Sequence, residues 1–274
     1  DFKTEMHVDE TEDTIATCET PAMNSNGITS VAISFNGGFD LVTFSEMFKY
    51  YATDPIVLDV VPRTGPSSGE TMIHISGLGF RLTDTLRCRF EMSSLVFTTI
   101  AEYLSDTLVR CVTPNTNGQT GSSVVSVSLN GKDYTPEIAN FKFMDYSVGN
   151  LVSVIPSFGT GGTNVMLYVS AFERFYGHAS WCRFGEHDST AATWLTETLL
   201  RCIAPPKSSS SSDNGVVDIA LSFNGVDFAM INATYEYVPN AIVHSVSPAR
   251  GPIVGTTVVT VFGSGFKNTS YLSC

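Results

Sequence analysis

Clusters of basic residues and long apolar runs are both missing from this sequence. Its 274 residues include 15 lysines and arginines against 27 aspartates and glutamates, a formal net charge of −12. A surface that tracks nucleic-acid phosphates needs clustered cations, so we expect no nucleic-acid partner. No window approaches the roughly 18 uninterrupted apolar residues of a membrane helix. We therefore expect no membrane contact within this segment, and any leader or anchor to lie outside it.

Patterns that carry catalysis or bind metals are also lacking. The histidines are scattered and none lies in a Cys/His cluster with metal-ligand spacing; they are His7, His74, His178, His187 and His244. No nucleophile motif stands out. The acidic stretch at residues 9–13 offers calcium ligands, but a solvated loop is the simpler interpretation. We expect no catalytic residue, no metal and no cofactor.

What the sequence does contain is enough apolar material for packed cores. Hydrophobic residues make up 43% of the chain and charged residues only 15%, which excludes a disordered chain. The length predicts two to three domains of roughly 100 residues each.

An internal repeat with a period of about 92 residues organises the chain. Its cysteine-bearing strand recurs as Ile15-Ala-Thr-Cys-Glu-Thr-Pro21, Leu108-Val-Arg-Cys-Val-Thr-Pro114 and Leu199-Leu-Arg-Cys-Ile-Ala-Pro205. Each copy is followed by an alternating strand that ends in an Asn-Gly turn, at Asn36-Gly37, Asn130-Gly131 and Asn224-Gly225. Asn-Gly between alternating runs is a strong hairpin signal, because both residues tolerate positive φ.

The front half of the repeat recurs as well. An apolar strand stops at Pro62, Pro156 and Pro248, and a Gly-Pro turn follows at Gly65-Pro66 and Gly251-Pro252. Short β-branched and aromatic strands at 8 to 12 residue spacing, without a helical period, predict all-β sandwiches.

Five motifs recur in a fixed order: Pro-x-x-Gly-Pro-x-x-Gly-x-Thr, Gly-x-Gly-Phe, Cys-x-Phe, Arg-Cys-x-x-Pro and Ser-x-Asn-Gly. Together they resemble the IPT/TIG domain family, the immunoglobulin-like module of plexins, hepatocyte growth factor receptors, fibrocystin and Rel-type transcription factors. The middle copy departs from the pattern, since Ala171 and Glu173 replace the glycines at positions 77 and 79. The resemblance implies an all-β fold of tandem immunoglobulin-like sandwiches, with that one loop bent differently.

The repeat divides the chain into four segments. We expect residues 53–146 (repeat 1) and 147–239 (repeat 2) to be complete IPT-like repeats. Residues 1–52 (the N-terminal half-repeat) form the C-terminal half of a repeat, and residues 240–274 (the C-terminal half-repeat) form the N-terminal part of one.

Two equivalent cysteines per repeat account for all six cysteines. Within the full repeats, Cys88 and Cys111 lie 23 residues apart, and Cys182 and Cys202 lie 20 apart. We predict one disulfide per repeat, Cys88 to Cys111 and Cys182 to Cys202, with free thiols or a metal site as the alternatives. Paired structural disulfides indicate an oxidising compartment, so we expect the chain outside the cell or at the cell surface.

Carbohydrate is the expected covalent modification. Asn232-Ala-Thr and Asn268-Thr-Ser are N-glycosylation sequons, and we place Asn232 just before the final strand of its repeat and Asn268 in a loop. The serines of one loop are candidates for O-glycans, with a flexible insertion as the alternative; they are Ser208, Ser209, Ser210, Ser211 and Ser212.

The two half-repeats match each other. If Cys274 were followed by Asp1, the junction would read Cys-Asp-Phe, like Cys88-Arg-Phe90. We expect residues 240–274 of one unit to be completed by residues 1–52 of the next, with Cys274 bonded to Cys18. The units are either successive segments of one long polypeptide or separate subunits, and their head-to-tail arrangement generates a filament or stalk. The alternative is a fragment of a plexin-like or fibrocystin-like receptor or adhesin that binds a protein or glycan ligand.

Overall fold

A computed structural model describes residues 4, 6–8, 15–23, 25–51, 54–136, 139–146, 151–170, 175, 177–186, 188–207 and 215–268. The chain is all-β, as predicted. The strands of the N-terminal half-repeat are β1 (Met6–Val8), β2 (Ala16–Cys18), β3 (Gly27–Ile33) and β4 (Val42–Tyr50). Those of repeat 1 are β5 (Ile56–Val61), β6 (Thr64–Pro66), β7 (Met72–Leu78), β8 (Arg87–Met92), β9 (Leu95–Ser105), β10 (Leu108–Val112), β11 (Gly121–Ser128) and β12 (Ala139–Met144).

Repeat 2 has an equivalent set of strands, and a strand pair follows it. The strands of repeat 2 are β13 (Leu151–Ile155), β14 (Phe158–Gly159), β15 (Asn164–Val169), β16 (Ser180–Phe184), β17 (Thr190–Thr196), β18 (Leu199–Ile203), β19 (Val216–Ser222) and β20 (Phe228–Tyr237). The pair in the C-terminal half-repeat is β21 (Ile242–Ser247) and β22 (Thr260–Ser264). The peptide bonds before Pro62, Pro156 and Pro248 are all cis.

Repeat 1 is a two-layer sandwich with strand order β5-β7-β10-β9-β8-β11-β12-β6. The long strand β9 pairs with β8 through its first half and with β10 through its second, so it passes from one layer to the other. Strand β6 closes the second layer by pairing in parallel with β12. Repeat 2 repeats this order with β13-β15-β18-β17-β16-β19-β20-β14. The predicted fold class, tandem immunoglobulin-like sandwiches, is confirmed.

Alternating burial explains why these segments are strands. Strand β8 buries Cys88, Phe90 and Met92 and turns the residues between them outward, the two-residue period of a half-buried strand. Inside repeat 1, the ring of Phe90 meets those of Phe141 and Phe143 edge-on, with centroids 6.3 and 6.0 Å away. Such aromatic pairs contribute about 1 kcal/mol beyond their buried area.

One disulfide joins the two layers of each repeat. The Cα atoms of Cys88 and Cys111 lie 6.5 Å apart, and those of Cys182 and Cys202 lie 6.0 Å apart. All four cysteines are buried. The bridges therefore link β8 to β10 and β16 to β18 at the centre of each core.

The half-repeats have the same alternating residues, but no second layer covers them within the described chain. Strands β3 and β4 form a two-stranded sheet, and so do β21 and β22. Phe48 is 38% exposed, whereas the equivalent Phe141 of repeat 1 is fully buried. Val246 is 45% exposed against 1% for Val60. Each half-repeat thus presents the inner face of a sandwich to solvent.

Candidate interaction site at the junction between repeats

The Asn-Gly turns carry a further polar residue that fixes their shape. In repeat 2, Asn224 Oδ1 accepts hydrogen bonds from the amides of Val226 (3.0 Å) and Asp227 (2.9 Å), while its Nδ2 donates to Asp227 Oδ2 (2.6 Å). Asn130 and Asp133 make the same side-chain bond in repeat 1, at 2.7 Å. The Asn therefore orients an aspartate at the tip of each turn, as Asx turns do.

In repeat 2 this turn docks on repeat 1. Thr71 Oγ1 donates to Asp227 Oδ2 at 2.7 Å, and Asn224 Nδ2 also donates to the backbone oxygen of Thr64 at 2.8 Å. Hydrogen bonds to an ionised acceptor are stronger than neutral ones. Two side chains of repeat 2, Asn224 and Asp227, thus form hydrogen bonds on either side of the Gly-Pro turn of repeat 1.

Thr71 is held rigidly before it reaches across the junction. Its amide donates to Thr113 Oγ1 at 3.0 Å, and its carbonyl accepts from the Thr113 amide at 2.9 Å. Its side chain is fully buried. The conformation of the preceding turn depends on Gly65, where an added Cβ would collide with the Thr71 hydroxyl and the Phe141 ring. The position of Thr71 therefore depends on a glycine at position 65.

Aromatic packing forms the apolar part of the junction. Tyr146, at the end of repeat 1, lies edge-on to Phe175 and Phe223 of repeat 2, with centroids 5.7 and 5.5 Å away. Met144 is buried in the core of repeat 2. Burial first, and the nearby Asp227 carboxylate second, raise the pKa of Tyr146 well above its ordinary value, and the Thr64 side chain offsets part of that rise. The Tyr146 side chain is therefore partly shielded from water at the junction.

The two other junctions show related contacts. Tyr51 packs against the core of repeat 1, and its pKa is raised by burial and by the carboxylates of Asp133 and Asp54. Asp133 therefore lies near Tyr51, where the chain enters repeat 1, as Asp227 lies near Tyr146, where the chain enters repeat 2. At the far end of repeat 2, Lys267 pairs with Glu236 and lies 4.8 Å from the centre of the Phe158 ring.

The predicted cysteines fall into three groups. The four in repeats 1 and 2 are bonded as described above. Cys18 on β2 has an exposed, unbridged thiol. Cys274 lies outside the described residues, so its pairing with Cys18 stays a prediction.

The predicted carbohydrate sites differ in what the structure describes of them. Asn232 is exposed, but it lies inside β20 rather than before it, at a bulge where the register with β19 shifts. Its φ of +52° suits asparagine, which tolerates the left-handed region. Asn268 is exposed after β22. The loop holding Ser208 to Ser212 lies outside the described residues, as do Ala171, Glu173 and the acidic stretch at residues 9–13.

Among the described residues, no group of three His, Cys, Asp or Glu side chains could hold a metal ion. His74 faces solvent on β7, opposite Arg110. Within the same part of the chain, no helix has the length and apolarity needed to cross a membrane.

An apolar face recurs on the outside of both sandwiches. On repeat 1, Val61, Met72 and Val112 are 57%, 44% and 44% exposed, and Met72 lies opposite Val112 in the ladder. The equivalent strands of repeat 2 expose Ile155 and Ile203. Sequence pattern alone does not reveal this face, because outward apolar residues are common on single strands.

Comparison with known proteins identifies the type of domain that these features resemble. The IPT/TIG domain profile matches residues 55–143 and 241–274. Fibrocystin-L of Mus musculus is 26% identical over 256 residues, and Fibrocystin-L of Homo sapiens is 24% identical over 263. Both alignments cover 91% of this chain, which spans only 6% of the length of either relative.

Among solved structures, the full extracellular region of Plexin A4 aligns with a TM-score of 0.48 and 14% identity, covering 87% of this chain and 21% of that one. Tp47, the 47-kilodalton lipoprotein of Treponema pallidum, aligns with a TM-score of 0.42 and 10% identity, covering 80% and 59%. From its profile matches, its disulfide-bridged sandwiches and its curated relatives, we conclude that residues 55–143 and 241–274 resemble the IPT/TIG domain and that the chain is extracellular or exposed at the cell surface.

Proposed function

We propose that the chain is a segment of a cell-surface receptor or adhesin ectodomain that binds a ligand without catalysing a reaction. The observation that carries this proposal is the apolar outer face shared by repeats 1 and 2, displayed on sandwiches that are docked to each other. The likeness to Fibrocystin-L over 91% of the chain supports it. Because the chain spans a small part of those relatives, the activity of a whole protein is part of the proposal.

The chemistry of the outer face favours a protein ligand over a glycan. Val61, Met72 and Val112 offer methyl and thioether groups, which gain free energy by leaving water. The Arg110 guanidinium, which is hydrogen-bonded to Glu102 at 2.9 Å, supplies a polar rim. Apolar centres with polar rims are typical of protein interfaces.

The test is a binding screen of the purified chain against two arrays, one of extracellular protein ectodomains and one of glycans. We expect a protein hit whose binding falls at least tenfold in the double variant Met72→Lys, Val112→Lys. The control is Leu82→Lys, an exposed apolar residue in a loop away from this face. Binding to glycans alone, or protein binding that the double variant leaves intact, would contradict the proposal.

A structural filament is the second candidate function, and the exposed inner faces of the two half-repeats favour it. In repeat 1, β12 pairs with β6 and β10 pairs with β7. The C-terminal half-repeat has equivalents of the front strands β5 and β7, and the N-terminal half-repeat has equivalents of the back strands β11 and β12. We propose that the halves of two glycosylated copies combine into one sandwich closed by a bond between Cys274 and Cys18.

Analytical ultracentrifugation of the oxidised chain tests this assembly. We expect oligomers that grow with concentration and that reduction together with Cys18→Ser shortens. Replacing Phe48 by aspartate, inside the proposed composite core, should leave only monomers. A chain that stays monomeric at all concentrations would contradict the filament and leave the receptor proposal in place.

A further inference from the structure

Position 141 in repeat 1 and position 235 in repeat 2 are equivalent, and they differ by one hydroxyl. Phe141 lies beside Gly65 and Thr71, and Tyr235 lies in the same way beside Gly159 and Thr163. The two threonines precede equivalent strands, β7 and β15. What their side chains bond to is nevertheless different.

In repeat 2 the threonine is occupied inside its own domain. The Tyr235 hydroxyl donates to the Thr160 carbonyl at 3.3 Å and lies with the Thr163 hydroxyl beside Gly159. Burial raises the pKa of Tyr235, and the neighbouring Thr163 side chain opposes that rise as a hydrogen-bond partner. Thr163 Oγ1 also accepts from the Thr160 amide at 3.2 Å. In repeat 1, Phe141 has no hydroxyl, so the Thr71 hydrogen is available to Asp227 of the next repeat.

We infer that the Gly-Pro-to-Thr turn of repeat 1 is a docking surface for the Asn-Gly-x-Asp turn of the following IPT-type domain, and that the residue at position 141 determines whether this surface is open. Phenylalanine leaves the threonine free to bind the aspartate of the next domain. A tyrosine at this position forms a hydrogen bond with the threonine of its own domain, so that the threonine hydroxyl is not available to the next domain. A charged hydrogen bond therefore holds the junction between repeats 1 and 2.

The contacts described beyond repeat 2 are of another kind. There, Phe158 occupies the position of Thr64, and the Lys267 ammonium group rests against its ring and pairs with Glu236. An exposed lysine pair of this kind is weak and salt-sensitive. The junction between repeats 1 and 2 instead buries the Thr71 side chain fully and the Tyr146 side chain partly, so it should hold one orientation more tightly.

The experiment uses pulsed electron paramagnetic resonance to measure the distribution of distances between a spin label on repeat 1 and one on repeat 2 in the full chain. Spin labels are attached through non-natural residues at Ser94 and Glu197, two exposed turn positions, so that the disulfides stay intact. We expect one narrow distribution for the unmodified chain. Asp227→Ala should raise the population outside that peak about tenfold, the size expected when a charged hydrogen bond is lost.

The matched control is Asp133→Ala, which removes the same aspartate from the turn of repeat 1 and should leave the distribution narrow. Phe141→Tyr should broaden it with Asp227 intact, because the added hydroxyl competes for Thr71. Because a hydroxyl added to this core can destabilise repeat 1, Thr71→Val provides a second route that keeps the side-chain shape.

Two results would overturn the inference. A distribution as narrow in Asp227→Ala and Thr71→Val as in the unmodified chain would show that the hydrogen bond does not hold the junction. A narrow distribution in a folded Phe141→Tyr variant would show that position 141 does not control the docking surface.

Discussion

Thr71 and Asp227, 156 residues apart in the sequence, share a hydrogen bond of 2.7 Å that joins two separate sandwiches. Each partner is positioned by its own domain, Thr71 by Thr113 and Asp227 by Asn224. The bond therefore forms between preorganised groups, which lose little side-chain entropy on docking. The contact between repeats 1 and 2 therefore depends on Thr113 and Asn224, which form hydrogen bonds within their own repeats.

Removing one disulfide should destabilise one repeat and spare the other. For Cys88→Ala with Cys111→Ala, we expect repeat 1 to lose about 3 kcal/mol of unfolding free energy, because the unfolded chain regains the entropy of the closed loop. Urea unfolding followed by proteolysis, which reports each repeat separately, measures this loss. Cys18→Ser is the control and should leave the unfolding free energies of repeats 1 and 2 unchanged, since Cys18 is exposed and lies outside both repeats.

Gly65→Ala should be costly, although alanine is a small residue. The new Cβ would meet the Thr71 hydroxyl and the Phe141 ring, and overpacking of this kind costs roughly 1–3 kcal/mol. Gly27→Ala on β3 is the matched control, since nothing lies within 4 Å of its added Cβ. Equal unfolding free energies for the two variants, measured in denaturant, would contradict the packing described at the turn.

Tyr146 should make stability fall at alkaline pH. Its pKa is raised above the ordinary 10.0 because burial and Asp227 disfavour the phenolate. The folded chain thus holds the proton more tightly than the unfolded chain, so this contribution is complete below about pH 10 and is lost as the pH rises further.

The Tyr146→Phe variant isolates this effect. We expect its unfolding free energy to match that of the unmodified chain near pH 7, because the Tyr146 hydroxyl has no hydrogen-bond partner of good geometry among the described residues. Above pH 10 its decline should be shallower. The same slope in both proteins, measured by denaturant titration across this range, would show that Tyr146 is not desolvated.

Two substitutions distinguish the role of Asn232 as a glycan site from its role in the backbone bulge. Thr234→Ala destroys the sequon but leaves Asn232 at its φ of +52°, so we expect the intact mass to drop by one glycan with no loss of stability. Asn232→Gln should lose the same mass and also about 1 kcal/mol, because glutamine tolerates positive φ less well. If neither variant changes the mass of secreted material, Asn232 carries no glycan.

The sequence predicted the parts of this structure that depend on local pattern. Alternating residues such as Cys88, Phe90 and Met92 identify a half-buried strand, and the recurrence of Cys88 and Cys111 identifies the partners of a bond. The aspartates at 133 and 227 were also visible, three residues after each Asn, but their role was not, because it depends on a neighbouring domain.

Other features of the structure could not be predicted from local sequence pattern. The bulge at Asn232 leaves two residues of one strand, Ile231 and Asn232, without partners. Alternation alone does not reveal such a bulge, so the sequence predicts the asparagine before β20 instead of inside it. The contact of Tyr146 with Phe175 and Phe223 depends on how one sandwich sits on the next. That arrangement is set by tertiary packing across the linker and not by any local period.

The docking of repeat 2 on repeat 1 is tested most directly by a double-mutant cycle between Thr71→Val and Asp227→Ala. Unfolding free energies are measured in denaturant for the unmodified chain, both single variants and the double variant. We predict a coupling energy of about 1.5–3 kcal/mol, as expected for a hydrogen bond to a charged, partly buried group. Additive losses, with a coupling energy indistinguishable from zero, would show that the two residues do not interact and that the repeats are not joined in this way.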